Sequence, residues 1–106
     1  MLNPLRWLKA RRQAPVPLVL YTKRGCCLCD EMKDQLARAR LSRPYELSEV
    51  DIEADARLSE LYGRSIPVLE IGGRVAFKGR IGAGELERKF ERLAHAWSSG
   101  ASAEES

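Results

Sequence analysis

The hydrophobic period of this chain changes abruptly near residue 25, and that change demands a strand followed at once by a helix. Val16 to Thr22, inside PVPLVLYT, is a short apolar, β-branched run suited to a buried strand. From Cys27 to about Arg40, Cys29, Met32, Leu36 and Ala39 recur at helical spacing. Lys33, Asp34 and Arg38 face away, with Asp34 and Arg38 placed for an i,i+4 pair. Pro44 precedes a second strand, Tyr45 to Asp51, in which Leu47 and Val50 differ in parity; this predicts a bulge or an early strand end. Asp55 to Tyr62 reads as a short helix with Leu58, Leu61 and Tyr62 on one face and Gly63 as its stop. Pro67 to Ile71 and Arg74 to Lys78 flank Gly72-Gly73 and make a β-hairpin. Leu86, Phe90, Leu93, Ala94 and Trp97 form the apolar stripe of a last helix that begins near Gly84. The order is β-α-β-α-β-β-α, an α/β architecture.

At 106 residues the chain suits one hydrophobic core, and no internal repeat or linker divides it. Residues 1–14 read as a basic N-terminal arm, 15–97 as the domain and 98–106, small and polar, as a disordered tail. Four of the 18 Lys and Arg residues (Arg6, Lys9, Arg11 and Arg12) fall in the first fifteen positions with no acid, leaving 14 basic against 15 acidic residues in the rest. The basicity therefore belongs to the arm. A nucleic-acid-binding domain is not expected, because it would carry a basic face of its own. Leu5, Trp7 and Leu8 among those cations suit a short amphipathic turn at a membrane or acidic surface. We favour a solvated arm, since so short a helix is marginal alone. No apolar run approaches the ~18 residues of a membrane span, and no h-region suggests a signal peptide. A reducing compartment, the cytoplasm, is expected, with the protein a monomer. Closely spaced cysteines there are more often catalytic or metal-binding than structural.

All three cysteines, Cys26, Cys27 and Cys29, sit where the first helix begins, in YTKRGCCLCDEM. A helix N-terminus offers orphaned N–H groups and a partial charge of roughly +0.5, and both stabilise an anion. Lys23 and Arg24 add positive potential. Such surroundings lower a cysteine pKa from about 8.5 into a range of roughly 3.5–7.5. Helix geometry selects the partner. Residues three apart share a face with Cα atoms about 5 Å apart, so Cys26 and Cys29 suit a disulfide. Adjacent Cα atoms lie ~3.8 Å apart, below the usual span, and residues two apart diverge by about 200° around the helix. Cys26 is then the attacking thiol, Cys29 the resolving thiol and Cys27 a bystander or a third thiol for side chemistry. Three small buried hydrophobes are the structural alternative. A structural zinc site needs four ligands, and the only histidine, His95, lies far away and reads as an exposed residue of the last helix, so no metal ligand is assigned.

Taken together, LVLYTKRGCCLCDEM and RSIPVLEIGGRVAFKGR resemble the glutaredoxin-like branch of the thioredoxin superfamily, over about Val16 to Trp97. The nearest likeness is to small bacterial glutaredoxin-like proteins with a YT-x-x-G-C-x-L-C signature. The resemblance implies a thioredoxin-like fold, a four-stranded mixed sheet flanked by helices. It implies that the cysteine at position 26 attacks a disulfide and that at position 29 resolves it. It further implies a cis Pro67 beside the thiols, with the backbone of Ile66 exposed to pair with a substrate strand. Lys23 matches the lysine that meets the glutathione carboxylate. The chain departs from the pattern in places. FKGRIGAGE carries no Asp where glutaredoxins have one after the last strand, and Cys27-Leu28 replaces Pro-Tyr. Gly25 and Leu20 stand where a thioredoxin has Trp and a buried Asp.

The expected function is thiol–disulfide oxidoreduction through Cys26 and Cys29, with Lys23, Arg24, Ile66 and Pro67 binding substrate and Arg64 and Arg80 as weaker rim candidates. No base on the first strand is apparent to deprotonate Cys29. No resident cofactor is expected, and glutathione is a candidate co-substrate. The partners are protein or glutathione disulfides and an unidentified reductant. Two alternatives stand beside it. Cys26, Cys27 and Cys29 could hold Cu(I) or share an iron–sulfur cluster, or the chain could be a non-enzymatic adaptor.

Overall fold

Alternation along the first strand sets the two faces of the sheet. Val16, Leu18 and Leu20 are fully buried on one side of β1 (Val16–Thr22), and Val19 and Tyr21 lie half-buried on the other. The computed structural model describes residues 14–99. It continues with α1 (Cys27–Arg38), β2 (Tyr45–Asp51), a 3-10 turn (Ile52–Ala54), α2 (Ala56–Tyr62), β3 (Val68–Ile71), β4 (Arg74–Lys78) and α3 (Glu85–Ser98). This is the expected order. The basic arm, residue 14 apart, and the tail beyond Ser99 lie outside the described residues.

The four strands form one mixed sheet in the order β2-β1-β3-β4. β1 runs parallel to β2, from Val16 opposite Tyr45 to Thr22 opposite Asp51, and antiparallel to β3. The β1–β2 register is unbroken, so the bulge expected in the second strand is absent. β2 is an edge strand with most side chains in solvent, and Leu47 is 36% exposed; no buried face enforces its alternation. The register shift lies instead in the hairpin, between Leu69 and Glu70. Gly72 and Gly73 both have positive φ, +59° and +85°, as a two-residue type I′ turn requires.

α1 and α3 cover the face bearing Val16, Leu18 and Leu20. Met32 and Leu36 meet Leu69, Ile71, Leu86 and Phe90 there. α2 covers part of the other face through Tyr62, which packs with Ile52 and Val68. Leu61, expected on the same face, is 65% exposed. Leu58 and Tyr62 are one helical turn apart and fill the narrow contact of this seven-residue helix, leaving Leu61 to one side. Gly63 ends α2 with right-handed φ (−52°) rather than the left-handed cap expected, and a Cβ there would lie 2.4 Å from the Ser59 carbonyl oxygen. Close backbone approach, not positive φ, explains this glycine. The helix α3 runs through Ser98, whose hydroxyl is buried and donates to the Ala94 carbonyl.

Candidate functional site

The loop from β1 to α1 places the cysteines at the carboxyl ends of the two parallel strands. Gly25 turns the chain with φ +80°, and Cys26 follows as the N-cap of α1 in extended conformation. Its Sγ accepts the backbone N–H of Cys29 at 3.2 Å. A sulfur here does what Ser or Asp does at other helix starts: it satisfies an orphaned donor, and negative charge on it meets the positive end of the helix.

The three cysteines occupy three environments. Cys26 is half-buried, Cys27 is exposed and Cys29 is 1% exposed. None is oxidised. Burial pushes the Cys29 thiol above its ordinary range, and its hydrogen bond with the Cys26 sulfur acts in the same direction. The Thr22 side chain and the Lys23 backbone act against that rise. Sequence reasoning missed these two groups. The available signal was a hydroxyl residue at the carboxyl end of a strand, directly ahead of the cysteine loop. Among the described residues no group of three or more His, Cys, Asp or Glu side chains is placed to hold a metal ion.

Two grooves flank the start of α1. One, of about 310 Å³, is lined by Lys23, Arg24, Cys26, Asp30, Lys33 and Glu49 among others. Lys23 and Arg24 are exposed on its rim, whereas Lys33 is engaged by Glu49 at 3.3 Å and Asp30 at 3.6 Å. The other, of about 270 Å³, lies between α1 and the segment after β4, with Leu28, Glu31, Gly79 and Arg80 on its walls. Gln35 Nε2 donates to the Ile81 carbonyl at 3.1 Å, and Arg80 Nε lies 3.9 Å from Glu31 Oε2.

The remaining sequence-derived candidates fall around this end of the sheet or away from it. The Ile66–Pro67 bond is cis, and the Pro67 carbonyl accepts the Gly79 N–H at 2.8 Å. Tyr21 pairs with Val68, so the register carried one step further brings Pro67 opposite Thr22, at the strand end that leads to Cys26. Ile66 is half-buried. Arg64 is exposed after α2, and His95 is exposed on α3. The Asp34–Arg38 contact is Arg38 Nε donating to the Asp34 carbonyl at 3.4 Å. No helix among the described residues is long and apolar enough to cross a membrane.

Comparison with known proteins agrees with the geometry. A family model described as Glutaredoxin-like domain (DUF836) matches residues 17–91. Among solved structures, protein Ne2328 from Nitrosomonas europaea is 27% identical, with a TM-score of 0.60 over 69% of this chain and 88% of that one. The holo form of glutaredoxin C1 from Populus tremula x tremuloides is 18% identical, with a TM-score of 0.55 over 87% of this chain and 89% of that one, and shares the fold. A buckwheat glutaredoxin in complex with glutathione is 19% identical, with a TM-score of 0.45 over 93% and 94% of the two chains.

Proposed function

Because the chain belongs to the glutaredoxin-like domain family, we propose that it is a thiol–disulfide oxidoreductase working through Cys26 and Cys29. The observation that carries this reading is the Cys26 sulfur capping α1, with the Cys29 N–H on it and the Cys29 thiol buried one turn below. Cys26, as thiolate, attacks one sulfur of a protein or glutathione disulfide. A mixed disulfide forms and the first thiolate leaves. Cys29 then attacks the Cys26 sulfur, the Cys26–Cys29 bond forms and the second thiolate leaves. Two protein thiols become one disulfide, and the substrate disulfide becomes two thiols. An external thiol reductant reverses the change.

Lys23 and Arg24 stand at the rim beside Cys26, where they favour anionic substrates. The Ile66 backbone, ahead of the cis Pro67, is the place for an extended substrate segment to pair. Exposed Cys27 has no part in the exchange.

Oxidation of the reduced protein with glutathione disulfide, followed by alkylation and peptide mapping, tests this directly. The expected product has a Cys26–Cys29 bond and alkylated Cys27. Cys26→Ser is expected to abolish reduction of a glutathione mixed disulfide, whereas full function in that variant would favour the adaptor role.

A further inference from the structure

The two flanks of α1 are lined differently. Cys26, Asp30 and Lys33 share a groove with Lys23 and Arg24, whereas Leu28, Glu31 and Gln35 face the segment after β4. On that second flank the hollow of about 270 Å³ continues into another of about 230 Å³, walled by Gly82, Gly84, Leu86 and Glu87 among others. Gln35 and Arg38 line both, so the two join into one channel along the helix. From Leu28 to Arg38 it runs roughly 15 Å, at ~1.5 Å per helical residue. That length suits about four or five residues of extended chain at ~3.3 Å each.

The near end of the channel lies at the reacting thiols. Leu28 stands between Cys27 and Cys29. On the opposite wall the Gly79 N–H is held by the Pro67 carbonyl at 2.8 Å, and Pro67 follows Ile66, the residue to which we assign substrate pairing. A segment laid beside Ile66 therefore has Gly79 and Arg80 as its next neighbours.

Arg80 is fixed at its backbone and loose at its charge. Gly79 before it is tied to Pro67, and the Ile81 carbonyl after it accepts Gln35 Nε2 at 3.1 Å. The Arg80 side chain is nevertheless 80% exposed, and its one partner among the described residues is the equally solvated Glu31, 3.9 Å from Nε. An exposed pair at that distance holds a guanidinium weakly. Nη1 and Nη2 have no partner among the described residues. We propose that this channel receives an extended segment of a protein disulfide substrate, with Arg80 as the specificity-determining residue for an acidic side chain beside the substrate cysteine. The proposal rests on the exchange reading above. The planar fork of a guanidinium pairs at two points with a carboxylate. Glu31 competes for the same group, so it limits the preference that Arg80 gives. Farther along, Asp34, Arg38 and Glu87 line the channel together with no excess of cations, which confines the preference to the end near the cysteines.

The measurement is the second-order rate at which the reduced protein opens a symmetric peptide disulfide, followed by release of peptide thiol with no other reductant present. The substrates are a capped peptide with Glu on both sides of its cysteine, the same peptide with Gln, and glutathione disulfide. The wild-type protein is expected to react faster with the acidic peptide than with the neutral one at low salt, and the advantage to shrink as salt rises. Arg80→Gln is expected to lower the acidic-to-neutral ratio about two- to fivefold, the range of an exposed charge pair. Glu31→Gln, which releases the guanidinium, raises that ratio. Arg92→Gln removes an exposed cation that lines neither hollow, and keeps it. Glutathione disulfide also carries carboxylates but is too short to fill the channel, so Arg80→Gln slows it less than the acidic peptide. Circular dichroism and thermal melting establish that each variant is folded. An unchanged ratio in folded Arg80→Gln, or an equal loss in Arg92→Gln, overturns the role of Arg80; reduction of the neutral peptide then leaves the exchange reading intact. Equal slowing of glutathione disulfide overturns the assignment of the channel to a protein segment. No thiol released from either peptide by the wild-type protein overturns both readings.

Discussion

At the scale of single residues, position along one helical turn separates the three thiols. Cys26 caps the helix, Cys27 points to solvent and Cys29 faces the core. Cys27→Ser should therefore change stability by less than about 0.5 kcal/mol, as exposed substitutions do, and leave exchange in place; chemical denaturation and an activity assay check both. Tyr21 offers an independent test of the other face. Its hydroxyl donates to Glu70 Oε2 at 2.9 Å, and burial followed by that bond pushes its pKa from 10.0 up to about 12. The neutral phenol is favoured in the fold, so this stabilisation is fully present below the unfolded value near 10. It is lost as pH rises toward about 12. Denaturation midpoints between those limits should fall, and Tyr21→Phe should flatten the fall. That Cys26 and Cys29 lie close together was legible, because residues three apart meet across the first turn of a helix. The influence of Thr22 on the Cys29 thiol was not, because a threonine at a strand end reads the same whatever lies beside it.

Among the elements, the hairpin and the helices show what pattern reading reaches. β1, β2 and β4 have the bounds that their apolar runs indicated. β3 begins at Val68 rather than Pro67, since proline has no N–H to give to a ladder. α1 stops at Arg38, two residues early, because Ala39 turns extended and both it and Leu41 pack on the core. The parity clash in the second strand misled because edge position cannot be seen in a single strand's sequence. In the hairpin turn the two glycines should differ. A Cβ on Gly72 would lie 2.8 Å from the Trp97 Cβ, whereas one on Gly73 meets nothing within 4 Å. Gly73→Ala meets only the backbone penalty of positive φ, about 1 kcal/mol. Gly72→Ala adds a steric clash and should destabilise by about 2–4 kcal/mol in urea unfolding.

For the whole molecule, one arginine joins segments that the sequence leaves unrelated. Arg43 Nη2 donates to the Ala14 carbonyl at 3.1 Å, Nη1 reaches the Ala94 carbonyl and the Ser98 hydroxyl, and the guanidinium lies 5.8 Å from the Trp97 ring centre. The positive charge also sits at the carboxyl end of α3, where it is favoured. Arg43→Ala should cost about 1–3 kcal/mol, because it leaves several acceptors without this donor; urea unfolding measures it, with no change expected at the cysteines. Nothing in residue order announced this junction, since Arg43 sits in a polar loop that resembles any solvated surface. The β-α-β-α-β-β-α order was legible because each element carries its own period. The central claim is that Cys26 forms the mixed disulfide and Cys29 discharges it. Its most direct test is intact-mass and peptide analysis of Cys29→Ser after exposure to glutathione disulfide. A stable glutathione adduct on Cys26, with Cys27 unmodified, is the expected result; an adduct confined to Cys27, or none on the folded protein, would contradict the account.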